Sequence, residues 1–231
     1  MTMRPICILN QNAPAETFVS LERLGFLAIP LPAHPDLAPG EAAHADMQFC
    51  KISGKTLLYA PDTSPSVIKA LRERKISVTQ GQTRLKPDYP GNIAYNILTV
   101  GNIYFHNLPF SDPLAVSLLA ESGLYGVKVK QGYAACSAAA VTGTHIITGD
   151  RGLMAAAERH NITPIFLPDR DIVLNGYEHG FVGGCCGIYE NTLFTCGKLP
   201  AVICKTVVDL GVSVVSVWDG PLTDIGGLLF L

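Results

Sequence analysis

His44-Ala45-Asp46-Met47-Gln48-Phe49-Cys50 is the stretch whose reading divides the rest of the chain. Ala45, Met47 and Phe49 alternate with their neighbours and do not recur at helical spacing, which predicts a strand over 44–52. Gly54-Lys55 then turns the chain, and a second apolar strand is predicted over 56–60. Pro61-Asp62 follows, then a helix, then a third strand ending near Val78. The unit is strand, strand, helix, strand.

The helices are legible from their ends. The first is predicted from about 14 to 24, with Pro14 suited to the first turn and Gly25 to a left-handed stop. Its apolar face is Phe18, Leu21 and Leu24. The second follows Ser64-Pro65 and presents Val67, Ile68 and Leu71; the third follows Asp112-Pro113 and stops at Gly123. A fourth follows Asp150 and ends near Asn161, and a fifth runs from Leu199-Pro200 to Gly211. Each leads into a strand, at 26–31, 76–79, 125–129, 163–167 and 212–218. Strand pairs are predicted at 44–52 with 56–60, 93–100 with 103–105, 134–141 with 145–148, and 181–189 with 192–195.

Four units are therefore complete, at spacings of about 40–50 residues, which marks an internal repeat. The fifth is split: the chain opens on a strand over 6–9 that lacks its partner and ends on a surplus strand over 227–231. Joining the ends completes the fifth unit and leaves no free sheet edge at the seam. The expected fold is a single domain over 1–231, an α/β propeller of five such units closed by its terminal strands. A doubly wound α/β sheet also alternates strands and helices. Against it, most helices here are separated by three strands. The one glycine cluster, 183–187, leads into a strand, which makes it a poor dinucleotide fingerprint.

Hydrophobic residues make up 48% of the 231 and charged residues 16%, which excludes disorder. The net charge of −2, with no Lys/Arg block, argues against nucleic-acid and anionic-membrane partners. No apolar leader precedes the first predicted strand, and seven cysteines lie mostly in apolar segments, so reduced thiols in the cytoplasm are expected. No CxxC or His/Cys cluster has metal-ligand spacing, and neither metal nor cofactor is expected.

Four segments carry a resemblance: 44–48 (His-Ala-Asp-Met-Gln), 89–96 (Tyr-Pro-Gly-Asn-Ile-Ala-Tyr-Asn), 131–137 (Gln-Gly-Tyr-Ala-Ala-Cys-Ser) and 180–184 (Gly-Phe-Val-Gly-Gly). With the five-unit pattern, the chain resembles the pentein superfamily of guanidine-modifying enzymes. It is most similar there to an uncharacterised bacterial group with a guanidine-modifying-enzyme-like domain. The resemblance implies a five-bladed pentein-type α/β propeller of ββαβ units. It also implies that a His-x-Asp opens one unit, as His44-Ala45-Asp46 does, and that a carboxylate with paired glycines opens the preceding one, as Asp224-Ile225-Gly226-Gly227 does. The nucleophilic cysteine it implies would open the unit after the His. That position, near Asn92 to Asn96, carries none.

The implied chemistry needs a thiolate to attack the planar carbon, carboxylates to hold the cation, and a His to protonate the leaving amine and activate water. His44 and Asp46 would share one face of a strand, a geometry that equally suits hydrogen-bonded groups capping the strand's start. Cys136, among small neighbours, is the preferred thiol; Cys185 and Cys186, after two glycines, are the others. For each, the first reading is a small buried hydrophobe, which is what free cysteines mostly are. Asp224, Asn92 and Asn107 are candidate substrate ligands. The expectation is a metal-independent hydrolase or amidinotransferase acting on a small guanidinium compound. The other reading is a non-catalytic pentein-fold protein that binds a ligand or acts like a ribosome factor.

Overall fold

The structure, a computed structural model, describes residues 4–231. The expectation about a leader rests partly on residues 1–3, which lie outside the described residues. The chain opens with β1 (Ile6–Asn10), α1 (Ala15–Arg23) and β2 (Leu27–Leu31), the two strands parallel across the helix. A short helical turn, α2 (Ala45–Gln48), leads into β3 (Phe49–Ser53), β4 (Thr56–Tyr59), α3 (Pro65–Glu73) and β5 (Ser77–Gln80). Here β3 and β4 are antiparallel while β4 and β5 are parallel.

The same arrangement recurs in β6 (Leu98–Val100), β7 (Ile103–His106), α4 (Pro113–Glu121) and β8 (Tyr125–Lys128). It recurs again after the turn α5 (Ala134–Ser137), in β9 (Ala138–Thr142), β10 (His145–Thr148), α6 (Arg151–Arg159) and β11 (Thr163–Phe166). The fourth full unit is β12 (Cys186–Tyr189), β13 (Thr192–Cys196), α7 (Ala201–Asp209) and β14 (Ser213–Trp218). Finally β15 (Leu229–Phe230) pairs antiparallel with β1 and completes the opening sheet.

Among the described residues there are five three-stranded sheets, each with one crossover helix of nine residues. The sequence locates all five of those helices, because Pro and Asp start them and Gly, Lys75 or Asn161 in left-handed backbone follows them. Asp112 caps α4 through Leu114 N and Ala115 N, and Asp150 caps α6 through Leu153 N, the roles that capping assigns them. Lys51, Thr99, Ala139, Ile188 and Leu229, one from each first strand, line a common cavity of about 190 Å³. The first strands of all five sheets thus border one space. No helix among the described residues is long and apolar enough to cross a membrane.

The first strands are shorter than the sequence predicts. The 44–52 strand begins only at Phe49, the 93–100 strand only at Leu98, the 134–141 strand at Ala138 and the 181–189 strand at Cys186. Two of the four begin with an α-turn, α2 and α5, and a third with a 3-10 turn at Gly183–Cys185. The alternation of Ala45, Met47 and Phe49 misleads because Gln48 and Cys50 are buried as well, so facing is not encoded in polarity. His44 therefore heads a turn of helix that contains Asp46, and the two are not alternate residues of a strand.

The seam between the termini is packed as well as hydrogen-bonded. Ile6 and Leu231 exchange both backbone hydrogen bonds, at 3.0 and 2.9 Å. Beneath them Phe230 meets Phe26 and Phe194 at ring-centroid distances of 4.9 and 4.8 Å. Deleting 227–231, or the single change Phe230→Ala, should therefore destabilise the whole fold, the latter by about 3–5 kcal/mol in urea denaturation. Val202→Ala, at a side chain 68% exposed on α7, should change stability by no more than about 0.5 kcal/mol. Equal melting of the Phe230 variant and the unaltered protein would contradict closure by the terminal strands.

Candidate active site

The site is assembled from the segments that precede the first strands. His44 stands at the head of α2, and its N–H donates to Glu41 O at 3.0 Å. Asp46 N donates to Gly226 O at 3.0 Å, tying the end of the chain to α2. Gly226 has φ +75°, and a Cβ there would stand 2.2 Å from His44 Cβ, so both backbone conformation and space demand glycine. Gly184 is the second such position: a Cβ there would lie 1.9 Å from Asp224 Oδ1. Gly184 thus serves close approach to a carboxylate. Asp224 is held by Phe181 N on Oδ2 and Gly226 N on Oδ1, both at 2.9 Å.

Cys136, on α5, donates its thiol hydrogen to Asp46 Oδ2 at 2.9 Å. Asn96 donates to the same sulfur through Nδ2 at 3.0 Å. The Asn96 oxygen accepts from Ala135 N at 2.8 Å and Cys136 N at 3.2 Å, which orients the amide with its NH₂ towards sulfur. Asn96 lies in the segment where the resemblance implies a cysteine; here the asparagine holds the sulfur of a cysteine in the following unit. His44 Nδ1 is 3.8 Å from Asp224 Oδ1 and 4.0 Å from Asp46 Oδ1, between the two carboxylates but beyond hydrogen-bond reach of either. His44 Nε2 and Asp46 Oδ1 are buried and have no hydrogen-bond partner among the described residues.

His44, Cys136 and Asp224 line a cavity of about 290 Å³, together with Glu41, Glu178 and the rings of Tyr133, Tyr177 and Phe181. Tyr133 and Phe181 stack at 6.5 Å. Asp46 lies behind the thiol and borders the central cavity. Burial pushes the Asp46 carboxyl up to about 6; nearby His44 opposes this and Asp224 adds to it. Burial raises Glu41 too. The Cys136 thiol is raised well above its ordinary value, first by burial and then by the charges of Asp46 and Asp224. At neutral pH it rests as a thiol. One donor atom each from His44, Asp46 and Cys136 lies within 4.8 Å of the others, an N/O/S set that could hold a thiophilic divalent cation. Sequence spacing hides this set, because its members come from two elements far apart in the chain.

The other candidates are placed as follows. Asn92 donates to Glu41 Oε1 at 2.6 Å and to Tyr133 Oη at 2.8 Å, so it positions two residues that line the cavity. Asn107 lies elsewhere, donating to Tyr89 Oη. Cys185 is buried with its thiol on Phe181 O at 3.2 Å, and Cys186 borders the central cavity; burial raises both. All seven cysteines are free. Glu41, Asn96 and Tyr133 were not anticipated. Glu41 sits three residues before His44, but acids are common in loops and nothing local distinguishes it.

The fold is that of the pentein superfamily. It is similar to DDAH from Pseudomonas aeruginosa, solved as a cysteine-to-serine mutant complexed with citrulline, with TM-score 0.57 and 10% identity over 98% of this chain and 97% of that one. It is also similar to the C. jejuni agmatine deiminase, with TM-score 0.56 and 10% identity over 94% and 90%. An amidinotransferase of the saxitoxin biosynthetic pathway from Microseira wollei matches at TM-score 0.56 and 10% identity, over 96% and 89%. The chain itself belongs to a family of unknown function, DUF6873, whose model matches residues 8–229. No curated protein matches it significantly.

The raised Asp46 carboxyl has a consequence for stability. A carboxyl whose folded value lies near 6 binds its proton more tightly in the native than in the unfolded chain, so its contribution is present at acid pH and is lost as pH rises from about 4 to about 6. Asp46→Asn should remove that slope. Relative to the variant, the unaltered protein should lose up to roughly 3 kcal/mol in urea denaturation across that window. Parallel curves would mean that Asp46 ionises normally.

Proposed function

We propose that the protein acts on a small guanidinium compound through a covalent adduct on Cys136, as a hydrolase or amidinotransferase. The observation that carries this reading is the thiol held between Asp46 and Asn96, in the wall of a cavity that also presents His44 and Asp224. Solved structures of the same fold include a deiminase and an amidinotransferase, which supports the class by analogy.

The planar cation would dock against Asp224 and Glu41, with aromatic faces along its side. Its positive charge lowers the cost of a thiolate that the acids otherwise oppose. The Cys136 proton passes to Asp46, already bonded to it, while sulfur forms a bond to the guanidinium carbon. A carbon–nitrogen bond then breaks, and His44 protonates the departing nitrogen. In hydrolysis His44 next takes a proton from water, whose oxygen bonds to the same carbon. The sulfur–carbon bond breaks, the thiol regains its proton, and a ureido product is released. An acceptor amine in place of water gives amidino transfer.

A second reading has its own support: the raised thiol favours a protein that binds the cation and does not turn it over. Alkylation with 2-chloroacetamidine, followed by peptide mapping, separates the two. The enzyme reading expects Cys136 to be labelled selectively, with labelling slowed about tenfold or more by a guanidinium ligand or by His44→Ala. Labelling of the cysteines only after unfolding would leave the binding reading.

A further inference from the structure

We propose that the ligand of this cavity carries its guanidinium or amidinium head on a tail without a carboxylate, either an amine-terminated or a neutral chain. This rests on the guanidinium reading above and narrows it. The cavity presents Glu41 and Asp224 from its buried side and the exposed Glu178 from its rim, and no Lys or Arg among the described residues lines it. His44 and His179 are the basic groups in the wall. His44 Nδ1 stands between Asp224 and Asp46, and His179 Nδ1 faces Gly180 O at 3.0 Å.

A guanidino amino acid would bring its own carboxylate into this acidic wall with no Lys or Arg to meet it, and with His44 already set between two carboxylates. Like charges brought together in a partly desolvated space are a strong device for excluding a ligand. His44 Nε2, in the lining, is buried and unpartnered. The wall carries three carboxylates against two imidazoles, so positive charge is what the ligand must supply. Leu174, Tyr177 and Phe181 give the tail an apolar and aromatic path outwards past Glu178.

The test is isothermal titration of the Cys136→Ser protein with three probes sharing one head group: butylguanidine, agmatine and arginine. Butylguanidine and agmatine should each bind at least about tenfold tighter than arginine, and butylamine should bind more weakly than butylguanidine. Protection of Cys136 in the unaltered protein against 2-chloroacetamidine should give the same ranking, independently of the substitution. Arginine binding as tightly as agmatine would overturn the exclusion of carboxylates and leave the guanidinium reading standing. Butylamine equalling butylguanidine, or binding by none of the probes to folded protein, would overturn the guanidinium reading and this inference with it.

Discussion

The two backbone hydrogen bonds between Ile6 and Leu231 close the opening sheet with the last strand, and the candidate site depends on that closure. It sets the turn at Asp224–Gly227 against α2, where Gly226 O accepts from Asp46 N and the glycine lies against His44. Asp224 and His44, 180 positions apart in the numbering, become neighbours only because the ends are joined. The aromatic cluster under Phe230 holds the seam from below, so the packing that stabilises the fold also fixes the geometry of the site.

The electrostatics of that geometry are unbalanced. Asp46 and Asp224 bear on the thiol and Glu41 bears on Asp46, with the His44 imidazole among them, and burial weakens solvent screening. Such a cluster resists its own ionisation, as the raised Asp46, Glu41 and Cys136 indicate. A bound cation relieves it. In the function proposed here the acids and the thiol would work as one unit, in which the ligand's charge makes the sulfur nucleophilic. Asn96 contributes direction: its amide is locked by two backbone N–H groups, and so it holds the sulfur beside Asp46.

Much of the fold is legible in the sequence because the crossover helices have clear starts and stops, and because the surplus strand at 227–231 matches the unpaired one at 6–9. The first strands are less legible. Both faces of α2 and α5 are buried, so polarity carries no period, and a turn of helix reads as strand. His44, Asp46, Cys136 and Asp224 stand out as residue types at suggestive positions. Asn96 and Glu41 do not, since their meaning lies in partners 40 and 51 positions away. The double glycine before Cys185 carries no such signal either; that Gly184 leaves space for Asp224 appears only when the carboxylate is in place.

The most direct test of the coupling between cation and thiol is the ultraviolet absorbance of the thiolate, recorded at about pH 8 as butylguanidine is added to the unaltered protein and to Cys136→Ser. The account predicts a rise equivalent to one thiolate per chain in the unaltered protein and none in the variant. Saturable binding of the ligand with no thiolate signal in either protein would contradict it.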